Sequence, residues 1–201
     1  MIDGKKILLK LFRIPSRSIK MFDPIFFQSI IVPVPTKGIF ARLGFRRDHT
    51  LIPPGHREKV ETYIEEALEL VELKGAARIL NIETIAGGDI RLNAGCVLRS
   101  KQLAEMLKGC TEVLLMGATA GSRIMDEILH DTTTDNITRG VVLDAVSSEM
   151  TDEALDWIMG YVNQDLRRQA KRLTKRRYSA GYGDFALENQ EIMYDLLMMN
   201  K

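Results

Sequence analysis

The sequence predicts an α+β fold built on one compact domain, on three observations. Short apolar runs that suit strands are few and scattered among amphipathic helices, without the regular βαβ spacing of a doubly wound sheet. The 201 residues suit a single domain, with or without an appendage, and can bury a sizeable core without disulfide or metal staples. The hydrophobic fraction, 45%, is that of a globular chain and argues against wholesale disorder.

The elements follow in chain order. Residues 4–22 carry Lys5, Lys6, Lys10, Arg13, Arg17 and Lys20 with no acid; this basic amphipathic stretch reads as a poorly packed arm or, as the alternative, a transit-like or membrane-surface segment. Residues 29–35 (SIIVPVP) are β-branched and broken by two prolines, which predicts an edge strand running into a turn. Phe40 to Phe45 reads as a short helix closed by Gly44. The Pro53-Pro54-Gly55 turn leads into a helix over 57–74. There Val60, Tyr63, Ile64, Ala67, Leu68 and Val71 keep the 3.6-residue period opposite a row of glutamates, and Gly75 is expected to end the run.

Ala76 to Ile85 predicts a strand. Ser100 caps a helix carrying Leu103, Met106 and Leu107. Thr111 to Met116 is apolar enough for a buried strand, and Ser122 is expected to cap the next helix. A further apolar segment, GVVLDAVSSEM, leads to Thr151 and a long helix along Ala154, Leu155, Ile158, Tyr161, Val162 and Leu166. Gly181 and Gly183 break the chain before a last helix holding Leu187, Met193, Leu196 and Leu197.

Composition narrows the function classes. With 28 Lys+Arg against 27 Asp+Glu, the net charge of +1 argues against a surface wholly built to grip nucleic acid or an anionic membrane, although a local basic patch is allowed. Cys96 and Cys110 form no CxxC pair and read as reduced thiols of a cytoplasmic protein. His49, His56 and His130 show no ligand spacing, so no metal site is expected. No apolar run reaches the length of about 18 residues that a membrane-crossing helix needs. Ser148 and Thr151 have no nearby histidine, so a hydrolase triad has nothing to rest on.

Three segments carry local signals. MGATAGSR, from Met116 to Arg123, is a strand-to-helix turn whose small residues could admit an anion, yet it meets neither the dinucleotide nor the P-loop pattern. Arg167 to Arg177 (RRQAKRLTKRR) is uninterrupted by acid. It reads as a solvated helix face, a nucleic-acid contact, or a docking surface for an acidic protein, with nucleic acid disfavoured because no aromatic residue interleaves.

Arg176 to Gln190 (RRYSAGYGDFALENQ) is the informative one. An arginine runs into two glycines that flank a tyrosine. Such a loop can press backbone against a flat ligand, clamp a carboxylate through the guanidinium fork, and offer a ring face and a hydroxyl. It also suits an ordinary connection between helices.

These residues resemble the S-adenosylmethionine-binding activation domain of vitamin B12-dependent methionine synthase, in its stand-alone bacterial form. The Arg-x-x-x-Gly-Tyr motif is matched by Arg177, Gly181 and Tyr182. IIVPV followed by GIFARLGFR is similar to the family's strand and Leu-Gly-Tyr stretch, and LDAVSSEMTDEALDWI to its Asp-Ala-hydrophobic-Gly-Ser helix start. The similarity spans residues 28–195.

The resemblance implies mixed helices around a small, mainly antiparallel sheet, with residues 28–201 as the ligand-binding domain and residues 1–27 as the arm. It implies a component of a cobalamin-dependent methyltransferase system that supports reductive methylation of cob(II)alamin. The methyl donor is S-adenosylmethionine. The cobalamin is carried by a partner, a separately encoded methionine synthase or another corrinoid protein. A flavodoxin-like donor supplies the electron. Neither nucleic acid nor membrane is an expected partner. The chain is too short for the substrate and cobalamin domains, so it is expected to act on a partner.

Carried over by residue, Arg177 binds the methionyl carboxylate, and Ser179 and Ala180 offer backbone contacts. Gly181 permits close approach, and Tyr182, the residue nearest the chemistry, faces ligand and cobalamin. Either Asp152 or Glu149 stands for one of the family's acidic ligand contacts. Ala180 replaces the proline common before Gly-Tyr, Ser147 stands where glycine is frequent, and the family's N-terminal acid has no match. A domain that keeps this fold and has lost the ligand would serve as a non-catalytic adaptor.

Overall fold

The computed structural model describes residues 5–13, 23–45 and 54–199, and the fold is α+β with a mainly antiparallel sheet. Of the arm over 4–22, residue 4 and residues 14–22 lie outside the described residues, as do His49 and Pro53. In chain order the elements are β1 (Lys5–Arg13), β2 (Ile25–Phe27), α1 (Thr36–Arg42), α2 (Pro54–Leu70), β3 (Lys74–Ala86), β4 (Asp89–Leu92) and β5 (Cys96–Arg99). Then follow α3 (Lys101–Met106), β6 (Glu112–Thr119), α4 (Ser122–Thr132), α5 (Ile137–Arg168), β7 (Arg172–Tyr178) and α6 (Asn189–Leu196). Of the described residues, 5–6, 28–45, 54–74 and 118–154 belong to one compact unit, and 7–13, 23–27, 75–117 and 155–199 to the other.

In the first unit, α1 buries Ile39, and Gly44 closes it at φ +84°, as its sequence position predicts. A Cβ at Gly38 of α1 would meet the end of the Glu149 side chain, which would have to swing aside. The α5 segment of this unit buries Val142, Leu143, Val146 and Ala154, while α2 buries Ile64 and Ala67. Arg139 ties the elements together: its guanidinium meets Glu66 at 2.7 Å, Glu127 at 2.9 Å and the buried Asp131 at 2.7 Å.

Three expectations fail in this unit. Residues 29–35 form no strand. Pro33 and Pro35 lack backbone donors, and the Ile30 amide instead bonds the Leu73 carbonyl at 3.0 Å. The helix predicted over 57–74 ends at Leu70, before Gly75. The Glu72 amide is drawn to the Ala120 carbonyl at 2.8 Å, so tertiary pairing overrides the helical period. Ser122 is not a cap; Gly121 holds that position at φ +93°, and Ser122 is the first helical residue.

The strand order is β5-β4-β3-β6-β1-β7, with β2 beside β3. In the second unit, β3 and β4 pair antiparallel, with Ile85 opposite Ile90, across a turn at Gly87 and Gly88, both at positive φ. β4 alternates exposed and buried residues, which puts Ile90 and Leu92 in the core. β6 is buried from Glu112 to Ala118, as its near-continuous apolar run predicts. Leu80, Leu98, Leu103, Val113, Phe185 and Met193 complete this core. The N-terminal segment supplies β1, which pairs antiparallel with β7, and β2, which pairs with β3.

The expected division before Thr151 is absent. Ile137 to Arg168 is one helix of 32 residues, and Thr151 lies inside it with its hydroxyl donating to the Ser147 carbonyl at 2.7 Å. The basic run over 167–177 is not a helix face. α5 stops in a Schellman turn, where the Lys171 amide bonds Leu166 O at 2.9 Å and the Ala170 amide bonds Arg167 O at 3.1 Å. Ala170 occupies the left-handed position at φ 56°, usually given to glycine, and the chain then turns into β7. Leu187 precedes α6 and is 57% exposed.

Candidate functional site

The site is built on the second unit, where β7 delivers Arg177 and Tyr178 into the turn Ser179–Phe185. Backbone bonds shape the turn: the Tyr182 amide to Ser179 O at 3.2 Å, the Phe185 amide to Tyr182 O at 3.0 Å, and the Gly181 amide to Phe185 O at 2.7 Å. Gly181 sits at φ +92° and Gly183 at φ +56°, where a side chain is strained. Ala180 and Phe185 are buried on either side and anchor the turn in the core. Tyr182 at its tip is 69% exposed.

Asp184 fixes the turn to α3. Its carboxylate accepts from the Ser100 hydroxyl, from the Lys101 amide at 2.7 Å and from the Gln102 amide at 3.3 Å. Ser100 is the α3 cap that the sequence predicts, its Oγ also accepting from the Leu103 amide at 2.9 Å. The Ser100 hydrogen bond, opposed by desolvation and aided by the Lys101 and Gln102 amides, holds the Asp184 carboxyl below its ordinary range. On the other side of the turn, the Tyr178 hydroxyl donates to Gln102 Oε1 at 2.7 Å. A Cβ on Gly183 would run into both groups of that bond.

The Arg177 guanidinium is half-buried, and its Nη1 meets Asp156 of α5 at 2.5 Å. Its position already holds a carboxylate, taken by Nη1 of a fork that carries five N–H donors. In the same unit, Phe27, Trp157 and Tyr161 form an aromatic group: Trp157 and Tyr161 stack at 5.7 Å, and Phe27 meets both edge-on.

Of the residues singled out in the sequence, Arg177, Ser179, Ala180, Gly181 and Tyr182 fall on this one turn and the strand leading to it. Ala180 is buried as a whole residue, so the backbone contact expected of it is not open at the surface. Glu149 and Asp152 belong to the first unit. They lie in mid-helix on α5 rather than near a helix start, and both engage Arg42, at 2.7 and 3.6 Å. Lys171, expected on the basic surface, is buried against Glu112, both carboxylate oxygens lying 3.2 Å from Nζ.

The sequence reading passes over Asp184, Gln102 and Asp156. Asp184 stands in the run GYGD, but its role depends on Ser100, and no local pattern joins them. No helix among the described residues is long and apolar enough to cross a membrane. Compared with models of known protein families and with curated proteins, the chain matches none.

Proposed function

We propose that the chain binds S-adenosylmethionine at the Arg177–Tyr182 turn. It would act as a reactivation subunit on a cobalamin carried by a partner, a separately encoded methionine synthase or another corrinoid protein. The observation that supports this is the convergence on one turn of a carboxylate-holding guanidinium, two glycines at positive φ and a tyrosine ring exposed at the tip. These suit a ligand with an amino-acid carboxylate at one end and a flat base at the other.

Arg177 would exchange the Asp156 carboxylate for that of the ligand, or share its fork between the two. Gly181, without a Cβ, leaves its backbone open to close approach. Tyr182 would cover the bound molecule with its ring. The Asp184 bonds to α3 would hold these groups in place before the ligand arrives, which lowers the entropy of ordering a loop. When bound, S-adenosylmethionine supplies a methyl group to the partner-held corrinoid, and a flavodoxin-like protein supplies the electron. The chain's own part is binding and orientation.

The same Asp184 bonds favour a second reading, a non-catalytic adaptor, because they account for the shape of the turn with no ligand in it. Equilibrium dialysis against methyl-labelled S-adenosylmethionine separates the two. Label retained by the full chain and displaced by S-adenosylhomocysteine supports the first reading. No retention leaves the adaptor.

A further inference from the structure

The two basic segments of the sequence, more than a hundred residues apart, meet as neighbouring strands. β1 and β7 pair antiparallel, and β7 is the outermost strand of the sheet. The register sets Lys10 opposite Arg177 and Arg13 opposite Arg172. Between them the two strands hold Lys5, Lys6, Lys10, Arg13, Arg172, Lys175, Arg176 and Arg177, and no acid.

A charged outer strand is one way to keep a sheet edge from pairing with other chains. That need would be met by β7 alone. It does not explain why the strand inside it is also basic, nor why cations are set opposite cations. Arg172 and Arg176 are exposed, and among the described residues the ion pairs of β7 are confined to Arg177 with Asp156. The exposed Arg172 and Arg176 leave β7 open to an anionic surface.

We infer that the β1–β7 edge docks a partner protein through a compact acidic patch. The charge ledger favours a protein over a nucleic acid. Outside these two strands the chain carries 20 cations against 27 acids, so the positive field is confined to one ribbon on an otherwise negative chain. An extended polyphosphate would run off the ribbon and meet repulsion, whereas an acidic patch of the ribbon's size would not. The inference stands apart from ligand binding at the turn, since Arg172 and Arg176 are not among the residues assigned to it.

The test uses the full chain and a fluorescein-labelled oligoglutamate of about six residues, no longer than the two strands, in about 50 mM salt where such contacts are not screened away. Fluorescence anisotropy should report binding that weakens as salt rises. Arg172→Glu with Arg176→Glu should weaken it about ten-fold or more, Arg172→Gln with Arg176→Gln by less, and the control pair Lys59→Glu with Lys108→Glu little. Circular dichroism checks that each variant is folded, and the glutamine pair serves if the glutamate pair does not fold. Three results would overturn the inference: no binding by the wild type, equal losses in the β7 and control pairs, or tighter binding of an oligothymidylate of equal charge. Loss of S-adenosylmethionine binding with glutamate binding intact would leave it standing.

Discussion

Ser100 and Asp184, 84 residues apart, meet through a hydrogen bond from the serine hydroxyl to the aspartate carboxylate. Ser100 also caps α3 by accepting from the Leu103 amide. One buried hydroxyl thus closes a helix and fastens the turn that carries Tyr182. Replacing Ser100 with alanine removes both bonds and should destabilise the protein by about 1–2 kcal/mol, the upper range for loss of a cap. Urea unfolding measures it, and a loss near zero would mean that Asp184 alone satisfies the helix end.

The same contact sets a pH dependence. The Asp184 carboxyl lies below its ordinary range because Ser100 and the α3 amides donate to its charged form. A group whose folded pKa is depressed contributes stability that is present above its unfolded pKa and lost as pH falls through the folded one. Asp184→Asn should therefore be less stable than the wild type at neutral pH. The gap should narrow as acid protonates Asp184. Thermal midpoints recorded from pH 7 downward test this; a gap that stays constant would contradict it.

Ala170 ends α5 at φ 56° with no glycine to relieve the strain. A left-handed conformation costs an L-residue about 1–2 kcal/mol. Ala170→Gly should stabilise the protein by about 1 kcal/mol, less than the full strain because glycine loosens the unfolded chain. Gly183→Ala should act in the opposite sense, since its Cβ would break the Tyr178–Gln102 bond. It should cost more than Gly44→Ala, whose φ of +84° is similar but whose Cβ would meet open space. Denaturation midpoints of the three variants give the comparison.

Lys171 and Glu112 are a buried ion pair at 3.2 Å. Removing one partner leaves a buried charge unpaired and is expected to cost about 3–5 kcal/mol. Lys171→Met should fall in that range, and adding Glu112→Leu should recover most of the loss. A double-mutant cycle measures the coupling, and additive losses would contradict the pairing.

The elements with strong local signals were legible in the sequence. The period of α2, the apolar run of β6, the Ser100 cap and the glycines at 181 and 183 each appear where local chemistry puts them. What failed depended on distant partners. The basic run over 167–177 carries no stop signal, because Ala170 does a glycine's work, and Lys171 is claimed by Glu112 across 59 residues. The 29–35 stretch looks like a strand, yet its two prolines leave too few donors to pair. At the site, the turn around Tyr182 could be read from Arg177, Gly181 and Tyr182. The carboxylate of Asp156 on Arg177, and Asp184 on the end of α3, are tertiary facts that no spacing announces.

The central claim is that Arg177 holds the carboxylate of S-adenosylmethionine. Calorimetric titration of the full chain with S-adenosylmethionine, beside Arg177→Ala and Arg177→Lys, tests it most directly. Saturable heat is expected with the wild type, loss of about ten-fold or more in affinity with the alanine variant, and incomplete rescue by lysine, whose single ammonium cannot reproduce the guanidinium fork. No heat with folded wild type, or equal affinity for wild type and Arg177→Ala, would contradict it.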